Sequence, residues 1–352
     1  MPRFVTRSVA SILSERDGLQ RVALDDGSGA YVLTAVTGPV ATGDRVVVNT
    51  TAVDLGLGTG GWHVVHWNLE RDAWAGAGGG HILKVRYTSV QTDIGAAEEH
   101  DDEVPSELGG MPVVVCGLHS QIAPVVAAIR ARRAPCRIAY VMTDTAALPL
   151  ALSDLVFELR CAGLLDLTVT AGQAFGGEVE AVNVPSALCL ARQRGADIAV
   201  VAMGPGGVGT GTELGFGALE VGNVLDAASW LGGTPIACVR YTTADRRQRH
   251  GGVSHHTITA LGRATLRPVL VPIPAGELAG TIQAQLTADG ISDRHRVVTV
   301  DVPDVMAVLD AAGIEVATMG RRPADDPAFF TVAAAAGTAA AGSRYETGTV
   351  QS

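Results

Sequence analysis

The chain has 352 residues, 47% of them apolar, enough for two domains with a sizeable core, which excludes disorder for most of its length. A formal charge of -10 excludes wholesale binding to nucleic acid or to an anionic membrane, because both need a cationic face that releases counterions. The five cysteines stand singly among apolar neighbours with no Cys-x-x-Cys pair, as expected of reduced core thiols in a cytoplasmic protein.

Residues 1–18 carry no apolar stretch before their first acid, so no secretory signal is expected. The segments RVALDD, AYVLTAV, RVVVNTTAV and HVVHWNL follow, divided by turns at Gly27-Ser28-Gly29 and Gly43-Asp44. Turn signals roughly ten residues apart, without a long helical period, predict a small antiparallel β-barrel over residues 1–97. Glycine clusters around Gly58 and Gly78 fit barrel corners and bulges ahead of a last strand, HILKVRY. The acidic residues 98–110, with Pro105 and Gly109-Gly110, read as a linker.

From Met111 the texture changes to short, continuously apolar segments alternating with helical stretches: PVVVC, RIAYVM, LTVTA, DIAVVAM, PIACVR, PVLVPI, RVVTVDV and IEVAT. Strands without polar alternation are buried on both faces, which predicts a doubly wound, mostly parallel α/β domain over residues 111–341. The most apolar stretch, Ile138 to Phe157, carries Asp144 and Asp154, so no membrane span is expected. Arg130 to Arg137 reads as a solvated helix C-terminus. The alanine-rich segment beyond Phe330 reads as a surface helix, and residues 342–352 as a disordered tail. One echo recurs about forty residues apart: Phe175-Gly176 with Glu180 and Asn183, then Phe216-Gly217 with Glu220 and Asn223. It suggests either duplicated βα units or two similarly capped helices.

In an open parallel sheet, ligands bind beyond the carboxyl ends of the strands. The strongest signal there is GPGGVGTGTELGFG after DIAVVAM. Gly204, Gly206 and Gly209 satisfy Gly-x-Gly-x-x-Gly between a strand and a helical stretch, and with Gly207, Thr210, Gly211 and Thr212 they offer backbone N–H groups to a phosphate or carboxylate. Pro205, the additional glycines and the lack of an acid after the next strand argue against a dinucleotide fingerprint, although Arg240, Arg246 or Arg247 would suit a 2′-phosphate. No Lys-Ser/Thr follows, so a Walker loop is rejected.

The second signal is the polar run Asp245 to Thr257. Arg247 and Arg249 could hold an oxyanion, and Ser254 stands at an expected helix N-cap. His255 is a candidate acid or base. Adjacent His255 and His256 are expected to diverge on a helix, which argues against a shared metal. Asp144, after RIAYVM, is the best candidate carboxylate, with Glu178 and Glu180 on the next loop; it equally suits the N-cap of a helix near Ala146. Catalytic work, if present, would then fall to Asp144, His119 and His255.

MGPGGVGTGTELGFGALE and RRQRHGGVSHHTITAL, with RIAYVMTDTAALPLALS and TAGQAFGGEVEAVN, resemble a bacterial family of uncharacterised proteins of about this length, a domain of unknown function. The resemblance covers most of the α/β domain, implies a bacterial cytoplasmic protein, and carries over no catalytic residue. The expectation is an enzyme acting on a small anionic or phosphorylated metabolite, against a non-catalytic ligand-sensing or scaffold protein. No cofactor is identified, and apolar, glycine- and alanine-rich elements predict a homo-oligomer.

Overall fold

The computed structural model describes residues 1–342 except 59, 77, 79 and 102. The tail expected over residues 342–352 therefore lies, but for Gly342, outside the described residues. The chain forms two compact units, Met1–Ala96 and Ala97–Ser352.

In the first unit, β1 (Phe4–Arg16), β2 (Leu19–Leu24), β3 (Gly29–Val32), β4 (Arg45–Asn49) and β5 (Trp62–Asn68) close a barrel in the order β1-β2-β3-β5-β4. The long β1 had no turn signal to announce it; its first half pairs with β4 and its second with β2. The pairings are antiparallel except β3 with β5, because a ring of five strands cannot alternate direction all the way round. Alternate residues face inward, so Val22, Leu24, Ala30, Val32, Val46 and Val48 form the core. The one-turn helices α1 (Thr34–Thr37) and α2 (Thr51–Asp54) follow β3 and β4. Of HILKVRY only β6 (Leu83–Lys84) is strand, paired with β7 (Thr92–Asp93).

The second unit begins with the acidic stretch read as a linker, which is bonded along its own unit: the Glu98 carboxylate accepts from Val182 N at 3.0 Å, and Asp101 pairs with Arg194 at 2.7 Å. There follow β8 (Pro112–Cys116), α3 (Ile122–Arg132), β9 (Ile138–Thr143), α4 (Asp154–Cys161), β10 (Leu167–Ala171) and β11 (Val179–Ala181). Then come α5 (Val184–Gln193), β12 (Ile198–Met203), α6 (Glu220–Trp230), β13 (Thr234–Cys238), the short pair β14 (Tyr241–Thr242) and β15 (Gly252–Val253), and α7 (His255–Thr259). The remainder is β16 (Leu270–Pro274), α8 (Glu277–Ala288), α9 (Ile291–Arg294), β17 (Arg296–Val300), α10 (Val305–Ala311) and α11 (Pro327–Gly342).

Eight strands form one sheet in the order β11-β10-β9-β12-β8-β13-β16-β17, every neighbour parallel. Seven of the eight apolar segments are these strands, β11 being the eighth. IEVAT is not a strand: Ile314 and Val316 pack into the core from a loop. Strand residues alternate between two cores. Val113, Val115, Val141 and Val201 face α5, α6 and α8, whereas Val114, Tyr140 and Val200 face α3, α10 and α11. The expected surface helix α11 is buried, with Phe329, Phe330 and Ala333 to Ala336 enclosed. Alanine on every side lets it approach α3 so closely that a Cβ on Gly337 would stand 2.1 Å from Val125 O.

The chain moves outward from β9 to β11, returns to place β12 beside β8, and then leaves for β13 on the far side. The helices that follow the adjacent strands β8 and β12 consequently lie on opposite faces, α3 on one and α6 on the other. Such a reversal opens a crevice at the carboxyl ends of the two strands, where open α/β sheets bind ligands.

Candidate functional site

Three loops meet at that crevice. After β8, Gly117 N and Leu118 N both donate to Gln121 Oε1 at 3.0 Å, and Gln121 Nε2 donates to Val239 O at 3.1 Å, so one buried amide ties the β8 loop to the end of β13. After β12 comes the glycine loop, and after β13 an excursion that β14 and β15 bracket. Ser254 caps α7 by accepting from His256 N at 3.2 Å, as expected from sequence. A π-turn, Ala260–Ala264, follows directly.

The glycine loop does not run straight into a helix, since α6 begins only at Glu220. It doubles back on itself: Thr210 N donates to Gly215 O at 2.8 Å and Gly217 N to Val208 O at 2.9 Å. Thr210 and Thr212 staple the fold-back through their hydroxyls, 2.9 Å apart. Gly204 is a packing glycine at the root, where a Cβ would stand 2.5 Å from Ala147 O. Gly206 and Gly211, at φ of 87° and 84°, make the turns. Among the described residues, the N–H groups of Gly207, Gly209 and Gly211 donate to no protein acceptor.

A cavity of about 170 Å³ lies between the loops. Gly207, Gly209 and Gly211 of the glycine loop line it together with Arg240, Arg247, Arg249, His250 and His256. A smaller space of about 20 Å³, lined by Arg240, His256 and Thr257 among others, has room for a water-sized molecule. Of the ligand-binding candidates named from the sequence, Gly207, Gly209, Gly211, Arg247 and Arg249 line the larger cavity, whereas Gly204, Gly206, Thr210, Thr212 and Ser254 do not.

The cationic wall is unevenly compensated. Arg240 is 6% exposed at its side chain and donates from Nη1 to His256 Nδ1 at 3.1 Å. Among the described residues its nearest carboxylate is Asp245, at 4.0 Å. That carboxylate is already clamped by Arg247, through Nε at 3.0 Å and Nη2 at 2.7 Å. Hydrogen bonds from Arg247 hold Asp245 far below the usual carboxylate range, and Asp245 in turn raises Arg247. Burial, then the neighbouring Arg247, pushes Arg240 down to about 10. Arg249 lies over Gly211 and is exposed.

His250, His255 and His256 gather beside these arginines, each offering a ring nitrogen within 4.8 Å of the others. The divergence expected of His255 and His256 does not occur; their ring centroids are 4.4 Å apart, and His256 stacks on Phe216 at 3.9 Å. Burial and then Arg240 lower His250 to about 4 and His256 to about 3, while burial and then Arg249 lower His255, so all three rings are neutral at pH 7. His250 Nδ1 shares a hydrogen bond of 2.8 Å with Ser254 Oγ, and His255 Nε2 is buried without a partner.

None of the three candidates for catalytic work, His255, His119 and Asp144, lines the cavity. His119 Nδ1 bonds Met203 O at 3.0 Å and Nε2 bonds Ser153 Oγ at 2.7 Å, and burial lowers its pKa to about 4. Asp144 accepts from Gln173 N at 2.9 Å and caps no helix, since none begins near Ala146. Glu178 pairs with Arg160 at 2.6 Å, and Glu180 accepts from Thr170 Oγ1 at 2.7 Å. The echoed asparagines occupy unlike positions: Asn183 caps α5, whereas Asn223 lies inside α6. Glu220, noticed only as part of that echo, is a carboxylate whose pKa burial raises; it receives the hydroxyls of Thr143 and Thr145 and ties the β9 loop to α6. Arg240 is the central residue that sequence reading underweighted. An arginine closing an otherwise apolar strand, PIACVR, was the available signal.

No helix among the described residues is long and apolar enough to cross a membrane. No curated protein matches the chain closely enough to count as a relative. A family model described as "Protein of unknown function (DUF3866)" matches residues 29–337, which takes in part of the barrel and nearly all of the α/β unit. With most of its length matched, the chain belongs to the DUF3866 family.

Proposed function

We propose that the protein is an enzyme acting on a small anionic or phosphorylated metabolite, held between the glycine loop and the arginines of the excursion after β13. The observation that carries this reading is Arg240. A buried guanidinium whose nearest carboxylate stands at 4.0 Å, in the grip of another arginine, leaves charge to be compensated, and the cavity beside it is where an anion fits. Unbonded N–H groups of the glycines that line the cavity support it. His250 and His256, neutral and on the cavity wall, are better placed for proton transfer than Asp144 or His119. Native mass spectrometry of the purified protein tests the reading: a copurifying anion, lost in Arg240→Met, is expected. A protein that arrives empty and binds no anion from a metabolite mixture would sink it.

Ligand sensing without turnover is the second reading. It is favoured by the cavity's poverty in carboxylates: no acid is among the residues that line it, and Asp245 beside it is held by Arg247. A metabolite screen that finds binding but no product would select it. Four of the five free cysteines are buried, in keeping with a reducing bacterial cytoplasm as the place of work. For self-association, Trp230 at 55% and Leu266 at 79% exposure offer an apolar surface.

A further inference from the structure

We infer that the anion is a phosphoryl dianion rather than a carboxylate, and that the histidine cluster serves as a wall of hydrogen-bonding groups around it rather than as a metal site. This rests on the anion-binding reading and makes it more specific. Charge comes first. Arg240, Arg247 and Arg249 line the cavity, and among the described residues Asp245 is the one carboxylate within 4.0 Å of any of them, so two positive charges stay uncompensated. The next ion pair, Arg321 with the buried Asp326 at 3.2 Å, is closed on itself. A monocarboxylate would leave one of those charges unmatched, whereas a phosphate monoester matches both.

Donor number points the same way. The wall offers three guanidiniums and the N–H groups of Gly207, Gly209 and Gly211, more than the two oxygens of a carboxylate accept and suited to the three terminal oxygens of a phosphoryl group. His256 adds another. A guanidinium only donates, so the bond from Arg240 makes His256 Nδ1 the acceptor and places the proton of the neutral ring on Nε2. That nitrogen lies on the side of Gly209, within 3.9 Å of where a Cβ on that residue would stand.

The same tautomer argues against a metal. Three imidazole nitrogens within 4.8 Å have the number and spacing of a zinc-type site. Yet the outer nitrogen of a metal-bound histidine normally donates to a carboxylate or carbonyl, and here the outer group of His256 is a cation. A dication would also enter a pocket that already holds two uncompensated positive charges.

Calorimetric titration of the intact protein with inorganic phosphate, acetate and Co²⁺ in separate cells tests this, with Co²⁺ also followed by its visible absorption. Phosphate is expected to bind at least tenfold more tightly than acetate, to weaken about ten- to a hundredfold in Arg249→Ala, an exposed position where folding is not at stake, and Co²⁺ to give no absorption band. Acetate binding as tightly as phosphate would overturn the phosphoryl assignment while leaving the anion site standing. Failure of both anions would remove the site itself. Stoichiometric Co²⁺ binding abolished by His255→Ala would overturn the role given to the histidines.

Discussion

The loops that follow β10 and β12 use similar residues, Phe175-Gly176 with Glu180 and Phe216-Gly217 with Glu220, and reach opposite electrostatic states. After β10 every acid is occupied: Glu178 receives Arg160, and Glu180 receives Thr170 Oγ1 and Gly176 N, while Gln173 N donates across to Asp144 on the β9 loop. After β12 Glu213 pairs outward with the exposed Arg263 and Glu220 faces inward to two threonines, while backbone donors and arginines are left around a cavity. Strand order explains the difference. β10 lies next to the sheet's edge strand, and its loop closes on its own side chains. β12 lies beside β8 at the reversal, where helices depart to opposite faces and leave a space. Similar residues make a self-satisfied turn in one place and a receptor in the other.

Acid should disturb the receptor side most. His119, bonded to Met203 O at the root of the β12 loop, has a pKa of about 4 when folded against 6.5 in the unfolded chain. Between those values the unfolded chain binds the extra proton. The stability contributed by keeping this ring neutral is therefore complete above about pH 6.5 and declines as pH falls toward 4, by on the order of 3 kcal/mol. His256, depressed further, adds with the same sign. Urea midpoints taken from pH 7.5 down to 4.5 should show the decline, and His119→Gln should flatten it.

Arg240→Met should weaken binding of the copurified anion or phosphate by about 1.5 to 3 kcal/mol, yet leave the empty protein as stable or more so, because a poorly compensated buried charge has been removed. Thermal melts with and without phosphate read both effects. A lower Tm without ligand would show that Arg240 is structural. Gly204→Ala should cost about 1 to 3 kcal/mol of stability, since its Cβ would press on Ala147 O, whereas Gly209→Ala meets nothing closer than 3.6 Å and should be mild. Similar denaturation curves for the two would mean that the loop's root is not tightly packed. The smallest effect is expected on the other loop: Glu180→Gln should lose about 1 kcal/mol of stability and leave phosphate affinity unchanged. A change in affinity would couple two loops that the strand order separates.

The parallel sheet was legible because a strand covered on both faces has no polar alternation, as in PVVVC and DIAVVAM. IEVAT looks the same, but Ile314 and Val316 bury themselves from a loop, and apolar content alone does not distinguish the two. β11 escaped notice because its three residues include a glutamate, and α11 was misplaced because alanine suits a tight interior as well as a surface. Among the residues that line the cavity, Gly207, Gly209 and Gly211 with Arg247 and Arg249 were legible from residue type. Arg240 and the three histidines acquire meaning only when β13, the β14–β15 bracket and α7 fold back together, and the burial that isolates His119 has no sequence signature.

The burial of α11 has a consequence for synthesis. The sheet face carrying Val114, Ile236 and Cys238 is covered by this helix, and Cys238 Sγ reaches Ala333 O at 3.7 Å. A ribosome delivers residues 327–342 after every strand of the sheet has emerged. Until then the nascent chain carries an assembled or assembling sheet with one apolar face bare, a state prone to aggregation and to capture by chaperones. A chain cut before Pro327 is held permanently in that state, and it should be recovered from cells as insoluble protein even though every residue of the anion site is present.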